Sequence, residues 1–274
     1  MKETMQRKAG RIAIGMILAG IILITTACSN QSSVKQKATL NDLFRNNKEI
    51  VIDCFGDSIT WGQFVSVDLQ KKIANGEVVP SLDDGGQLFE EYGIYISSVY
   101  QSDPTYPEKL EMTLNESLLR SGYDSRVICV NDGISGDWLT KDSYRRITCD
   151  PDIVVILYCG NNFYFDQEYK GTLEANVDAL RDAGCLLYFA TYPLYPDKAH
   201  TEDFANANKY LRKVAKKKNI PLIDTYELFE EAVGEQYDRD DLFSTDLIHL
   251  SELGYELLGQ YIAQGIFADL EMNK

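Results

Sequence analysis

Ile50-Val51-Ile52-Asp53-Cys54-Phe55-Gly56-Asp57-Ser58-Ile59-Thr60-Trp61-Gly62 is an apolar run of strand length that stops abruptly at a Gly-Asp-Ser turn. Ile50 to Phe55 is short, continuous, β-rich and bounded by glycine, which reads as a strand buried on both faces of a parallel sheet. In an open α/β sheet, ligands bind in the crevice outside the carboxyl ends of the strands. Ser58 stands at that end, where it is either a nucleophile or a plain cap for the helix that follows.

Downstream, further strand patterns are read at Arg126 to Val130, Ile153 to Cys159, Leu186 to Thr191 and Pro221 to Asp224, the last with proline at its start. Helical patterns are read at Leu40 to Asn47, Tyr106 to Ser121, Leu173 to Ala183, Phe204 to Lys218 and Glu252 to Phe267. Five strands alternating with helices imply an α/β fold with a parallel sheet covered on both faces. Between Gly62 and the helix at Tyr106 lie more than forty residues, with Gly76, Pro80, Gly85, Gly86 and Gly93 as breakers and Phe64, Phe89, Tyr92, Tyr95 and Tyr100 as apolar content. This insertion, at about 63–104, leaves the end of the Ser58 strand and is expected to form a lid or wall beside the site; a packing role away from it is the alternative.

Near the other end of the chain, Asp246-Leu247-Ile248-His249 precedes the final helix, at a spacing that lets both side chains face one way. A serine hydroxyl is a poor nucleophile until an imidazole takes its proton, and the imidazole needs a carboxylate to fix its tautomer. Ser58, His249 and Asp246 could supply that set. Asp197-Lys198-Ala199-His200 repeats the Asp-x-x-His spacing after the fourth strand and is a rival pair. Ser135, in the turn after the second strand, is a rival nucleophile.

Four blocks in order resemble the SGNH, or GDSL-type, hydrolase family: Gly56-Asp57-Ser58-Ile59-Thr60, Asn131-Asp132-Gly133-Ile134-Ser135-Gly136-Asp137, Gly160-Asn161-Asn162, and Asp246 to His249 followed by Gly254-Tyr255. The resemblance spans roughly residues 48 to 268. It implies Ser58 as nucleophile, His249 as base, Asp246 as its orienter, and an oxyanion hole from Ser58, Gly136 and Asn162. For Asn162 the ordinary alternative is a turn or helix cap. The resemblance also implies a three-layer α/β/α sandwich with a five-stranded, flavodoxin-like parallel sheet. The chain departs from the family in two places: the third block usually continues with Asp where Phe163 stands, and the histidine is usually followed by Pro where Leu250 stands. The matching block favours His249 over His200, which reads as a solvated loop residue.

Lys2, Arg7, Lys8 and Arg11 precede an uncharged apolar stretch, Ile12 to Ala27, that ends at Thr25-Thr26-Ala27-Cys28. Residues 1–27 read as a secretory signal. Cysteine after small residues resembles the lipobox of bacterial lipoproteins, which implies cleavage before Cys28 and lipid on its sulfur. The alternative is an uncleaved anchor, but such a stretch spans only about 24 Å as helix against a bilayer core of about 30 Å. Residues 28–45 are assigned to the lipidated cysteine and a tether, and 46–274 to the folded domain. Either orientation signal leaves the domain extracytoplasmic, with the membrane as a partner through its N-terminal lipid.

The net charge of −15 excludes nucleic acid as a partner. Of six cysteines, the five other than Cys28 are expected to be mostly reduced, with Cys54, Cys129, Cys159 and Cys185 in or beside strands. No cysteine pair has zinc-ligand spacing and there are two histidines, so neither a metal nor another cofactor is expected. The family chemistry implies a serine esterase acting through an acyl-enzyme. Trp61, Trp138, Phe163, Tyr164 and Phe165 near strand ends offer flat surfaces suited to sugar rings, which points to O-acyl, chiefly O-acetyl, esters of carbohydrate. The alternatives are a lipid acyl-hydrolase or thioesterase with the same triad, and a non-catalytic lipoprotein that binds glycan or a protein partner.

Overall fold

The structure, a computed structural model, describes residues 39–64, 100–196, 201–244 and 246–272. The leader, Cys28, most of the insertion and His200 lie outside the described residues. Helix α1 (Leu40–Asn46) opens the fold with a capping box in which Thr39 and Asp42 exchange side-chain and backbone hydrogen bonds. Leu40, Leu43 and Phe44 are buried in the core, so α1, which begins within the stretch read as tether, packs with the folded domain.

Five strands form the sheet: β1 (Glu49–Gly56), β2 (Arg126–Gly133), β3 (Ile153–Leu157), β4 (Leu186–Ala190) and β5 (Leu222–Ile223). All neighbours pair in parallel, in the order β2-β1-β3-β4-β5. This is the flavodoxin-like arrangement, whose switch point lies where successive connections leave β1 in opposite directions. Every side chain of β3 is fully buried, as its unbroken Ile-Val-Val-Ile-Leu run requires. Each such side chain contributes about 1.5 to 3 kcal/mol of transfer free energy.

Helices α3 (Tyr106–Arg120) and α8 (Glu252–Met272) pack together on one face with α1. Helix α3 begins at a second capping box, Thr105 with Glu108, and carries proline in its first turn. Helices α5 (Thr172–Ala183) and α6 (Thr201–Lys218) cover the other face, which completes three layers. The sequence pattern misses α7 (Thr225–Ala232), a four-residue helix at Arg239–Leu242, and two very short helices, α2 (Ser58–Trp61) and α4 (Gly160–Tyr164). The last two are single turns that start directly at the ends of β1 and β3, too brief to show a period.

The ends of the insertion form a two-stranded antiparallel ribbon, with Gln63 opposite Gln101 and Phe64 opposite Tyr100. The insertion therefore leaves and returns at one place, next to Gly62. Cys54, Cys129, Cys149, Cys159 and Cys185 are all free thiols.

Candidate active site

Ser58 is the first residue of α2, held at the mouth of β1 by the Asp57 carboxylate, which accepts the Ile59 N–H at 3.2 Å. His249 Nε2 lies 2.8 Å from Ser58 Oγ, and His249 Nδ1 lies 2.6 Å from Asp246 Oδ2. With Nδ1–H donated to the carboxylate, Nε2 is left as the acceptor for the serine proton. Asp246 and His249 do not sit on a helix; they face each other across a tight turn that puts Leu247 at φ +59°. A left-handed leucine costs about 1 to 2 kcal/mol. The turn is held by Asp246 Oδ1, which accepts the N–H groups of Ile248 and His249 at 3.0 Å each and the Ser244 hydroxyl at 2.7 Å. Burial alone would raise the Asp246 carboxyl, but the His249 ring and these hydrogen bonds hold it well below the usual carboxylate range.

The turn after β2 carries Gly136 at φ +73°, an angle that favours glycine. No acceptor among the described residues takes its N–H. The Asp137 carboxylate is gripped from behind by Arg146 and by the Tyr158 hydroxyl, so the peptide next to Gly136 is fixed. The rival Ser135 donates its hydroxyl to Gln63 Oε1 at 2.5 Å, away from any base.

Asn162 does not fit the oxyanion role. It is fully buried and gives one amide proton to the Leu139 carbonyl at 2.9 Å and the other to the Glu168 carbonyl at 2.7 Å, while its oxygen accepts the Leu139 N–H at 2.8 Å. No amide proton is left for a substrate. Its neighbour Asn161 gives one amide proton to the Asp137 carbonyl at 2.7 Å, right beside Gly136, and has the second without an acceptor among the described residues. Cys159, just before, adopts φ +84°, a glycine-like angle. Moving the third block by one residue explains all three facts: Cys159 takes the place of its glycine, Asn161 of its asparagine and Asn162 of its bracing aspartate.

Beside Gly136 lies a cleft of about 510 Å³ lined by Ile134, Trp138, Phe165 and Gln167 among others. Trp138 and Phe165 meet edge to face at 6.5 Å and are both about 40% exposed, whereas Phe163 packs inward on Tyr169 at 4.4 Å and Tyr164 on Phe204. Of the aromatic residues near the strand ends, these two present rings to the cleft.

Among the described residues one cluster, Asp53, Asp132 and Cys149, brings possible metal-ligand atoms within 4.8 Å of one another. Burial, with Asp132 alongside, pushes the Asp53 carboxyl up to about 9, and its buried Oδ1 has no hydrogen-bond partner among the described residues. Both Asp132 oxygens are taken by the Thr148 hydroxyl and N–H.

The sequence profile of the GDSL-like lipase/acylhydrolase family matches residues 54–257. No curated protein matches the chain. Among solved structures, an acetyl xylan esterase variant from Geobacillus stearothermophilus is 18% identical, with a TM-score of 0.52 over 80% of this chain and 94% of that one. The psychrotrophic esterase EstA from Pseudoalteromonas sp. is 15% identical, with a TM-score of 0.50 over 82% of this chain and 99% of that one. The acetyl xylan esterase AlAXEase is 18% identical, with a TM-score of 0.50 over 80% and 99%. At these identities the likeness is one of fold.

Proposed function

The chain belongs to the GDSL-like lipase/acylhydrolase family, and from that premise we propose that this serine ester hydrolase removes O-acetyl groups from carbohydrate outside the cytoplasm. The observation that carries the chemistry is the unbroken line from Ser58 Oγ through the His249 ring to Asp246. Ser58 attacks the ester carbonyl as His249 Nε2 takes its proton, and Asp246 steadies the imidazolium. The N–H groups of Ser58 and Gly136 and the free amide proton of Asn161 receive the oxyanion. His249 then returns the proton to the leaving alcohol, and water, activated by the same ring, releases the acyl group.

The substrate class is supported by the exposed Trp138 and Phe165 rings flanking the cleft beside Gly136, and by two solved structures of like fold that are acetyl xylan esterases. The basic and apolar leader, with Cys28 after Thr25-Thr26-Ala27, supports export and lipid attachment at Cys28. Acetate release from acetylated xylo-oligosaccharides, compared with hydrolysis of a long-chain acyl ester, tests the assignment. Faster turnover of the long-chain ester would make the protein a lipid acyl-hydrolase instead. Cys28→Ser should move the protein from the membrane fraction to the soluble one; unchanged membrane retention would refute the lipid anchor.

A further inference from the structure

Tyr192 follows β4, two strands away from Ser58 in the sheet, yet its hydroxyl reaches the nucleophile turn. It donates to Asp57 Oδ2 at 2.6 Å and accepts the Gly160 N–H at 2.9 Å. One oxygen thus joins the residue before the nucleophile to the first residue of α4, the turn that carries Asn161. Gly160 is needed for that approach, because a Cβ there would fall 2.9 Å from the Tyr192 ring and 2.5 Å from the Phe204 ring.

The tyrosine is itself fixed. Asn208 on α6 holds its backbone at both ends, accepting the Tyr192 N–H at 2.7 Å and donating to its carbonyl at 2.9 Å. Phe204 packs edge to face on its ring at 5.2 Å. A ring held at three points and fully buried has little freedom to lose when it makes its two hydrogen bonds.

We propose that Tyr192 is a positioning residue for catalysis, a clamp that sets the Ser58 turn against the Asn161 turn and keeps Asp57 as a carboxylate facing His249. This rests on the Ser58 chemistry proposed above. Asp57 is buried, and its carboxyl stands at about 6: burial lifts it, and the Tyr192 hydroxyl, the Ile59 N–H and the His249 ring keep it from rising further. The other titratable groups facing it, Tyr158, Cys159 and Tyr255, are buried and raised above their usual ranges, so they stay neutral. His249 is the partner that gains charge during the reaction, and an ionised Asp57 favours that charge.

Removing the hydroxyl leaves Asp57 with one hydrogen bond fewer, so the carboxyl gains its proton at higher pH. Tyr192→Phe should lower kcat about tenfold with KM little changed, and move the acid limb of the kcat profile to higher pH. With Asp57→Asn already present, which keeps an acceptor for the Ile59 N–H, Tyr192→Phe should cause no further movement of the limb. The 13C carboxyl resonance of Asp57 reads the same clamp without turnover and should titrate at higher pH in Tyr192→Phe than in the wild type. An Asp57 resonance that titrates alike in both proteins overturns the clamp whether or not the enzyme turns over any ester. A kcat loss with the acid limb unmoved overturns it as well, since a merely structural tyrosine would lower the rate at every pH.

Discussion

Asn162 and Leu139 are joined by a two-way amide pairing, in which the asparagine oxygen takes the Leu139 N–H at 2.8 Å and its nitrogen donates to the Leu139 carbonyl at 2.9 Å. The pairing ties the loop after Gly136 to α4 and uses up the Asn162 side chain, which leaves Asn161 as the oxyanion donor of the proposed mechanism. Asn162→Ala would leave the backbone N–H and carbonyl of the buried Leu139 unpaired and free the Glu168 carbonyl, and is expected to cost about 2 to 4 kcal/mol of stability in urea unfolding. Asn161→Ala should unfold near the wild-type midpoint but lose kcat by about 10² to 10³, the usual effect of one lost oxyanion donor. If the two variants show the reverse pattern, the one-residue shift of the block is wrong.

Trp138 and Phe165 meet a sugar ring in the proposed complex, but a small activated ester does not need them. Trp138→Ala should raise KM for an acetylated xylo-oligosaccharide about fivefold while leaving p-nitrophenyl acetate hydrolysis unchanged. Equal losses on both substrates would place the ring in the catalytic framework and remove the support it lends to a carbohydrate substrate.

Asp53 binds its proton more tightly in the folded protein, where its carboxyl is pushed up to about 9, than in the unfolded chain, where it sits near the model-peptide value. The sign follows from linkage: the folded state holds the extra proton, so the stability from this group is full at low pH and is lost as pH rises toward 9. The slope is at most about 1.4 kcal/mol per pH unit. Asp53→Asn keeps the shape of the side chain but cannot titrate, so its advantage over the wild type in urea unfolding should widen from pH 6 to pH 9. Parallel stability curves would show that Asp53 holds no extra proton in the folded protein.

The centre of the sheet was legible in the sequence because β3 is buried on both faces and reads as an unbroken apolar run, Ile153 to Leu157. Ser58, Asp246 and His249 were legible because each sits in a block whose spacing the chemistry requires. Asn161 was not, since a tandem asparagine gives no hint of which side chain turns inward; only the hydrogen bonds to Leu139, Glu168 and Asp137 separate them. Tyr192 was equally silent. Its role comes from β4 lying beside β3 in the sheet, and a tyrosine at a strand end reads as ordinary core packing. The helix at Thr225–Ala232 was missed because only Thr225, Phe229 and Ala232 are buried in it, too thin an apolar stripe to mark a period.

Mass spectrometry of the intact protein after reaction with a fluorophosphonate puts the most direct question to the triad. The account predicts one adduct, located on Ser58, slowed strongly by His249→Ala and abolished by Ser58→Ala. An adduct on Ser135 or any other hydroxyl, or a folded wild-type protein that takes up no label, would contradict it.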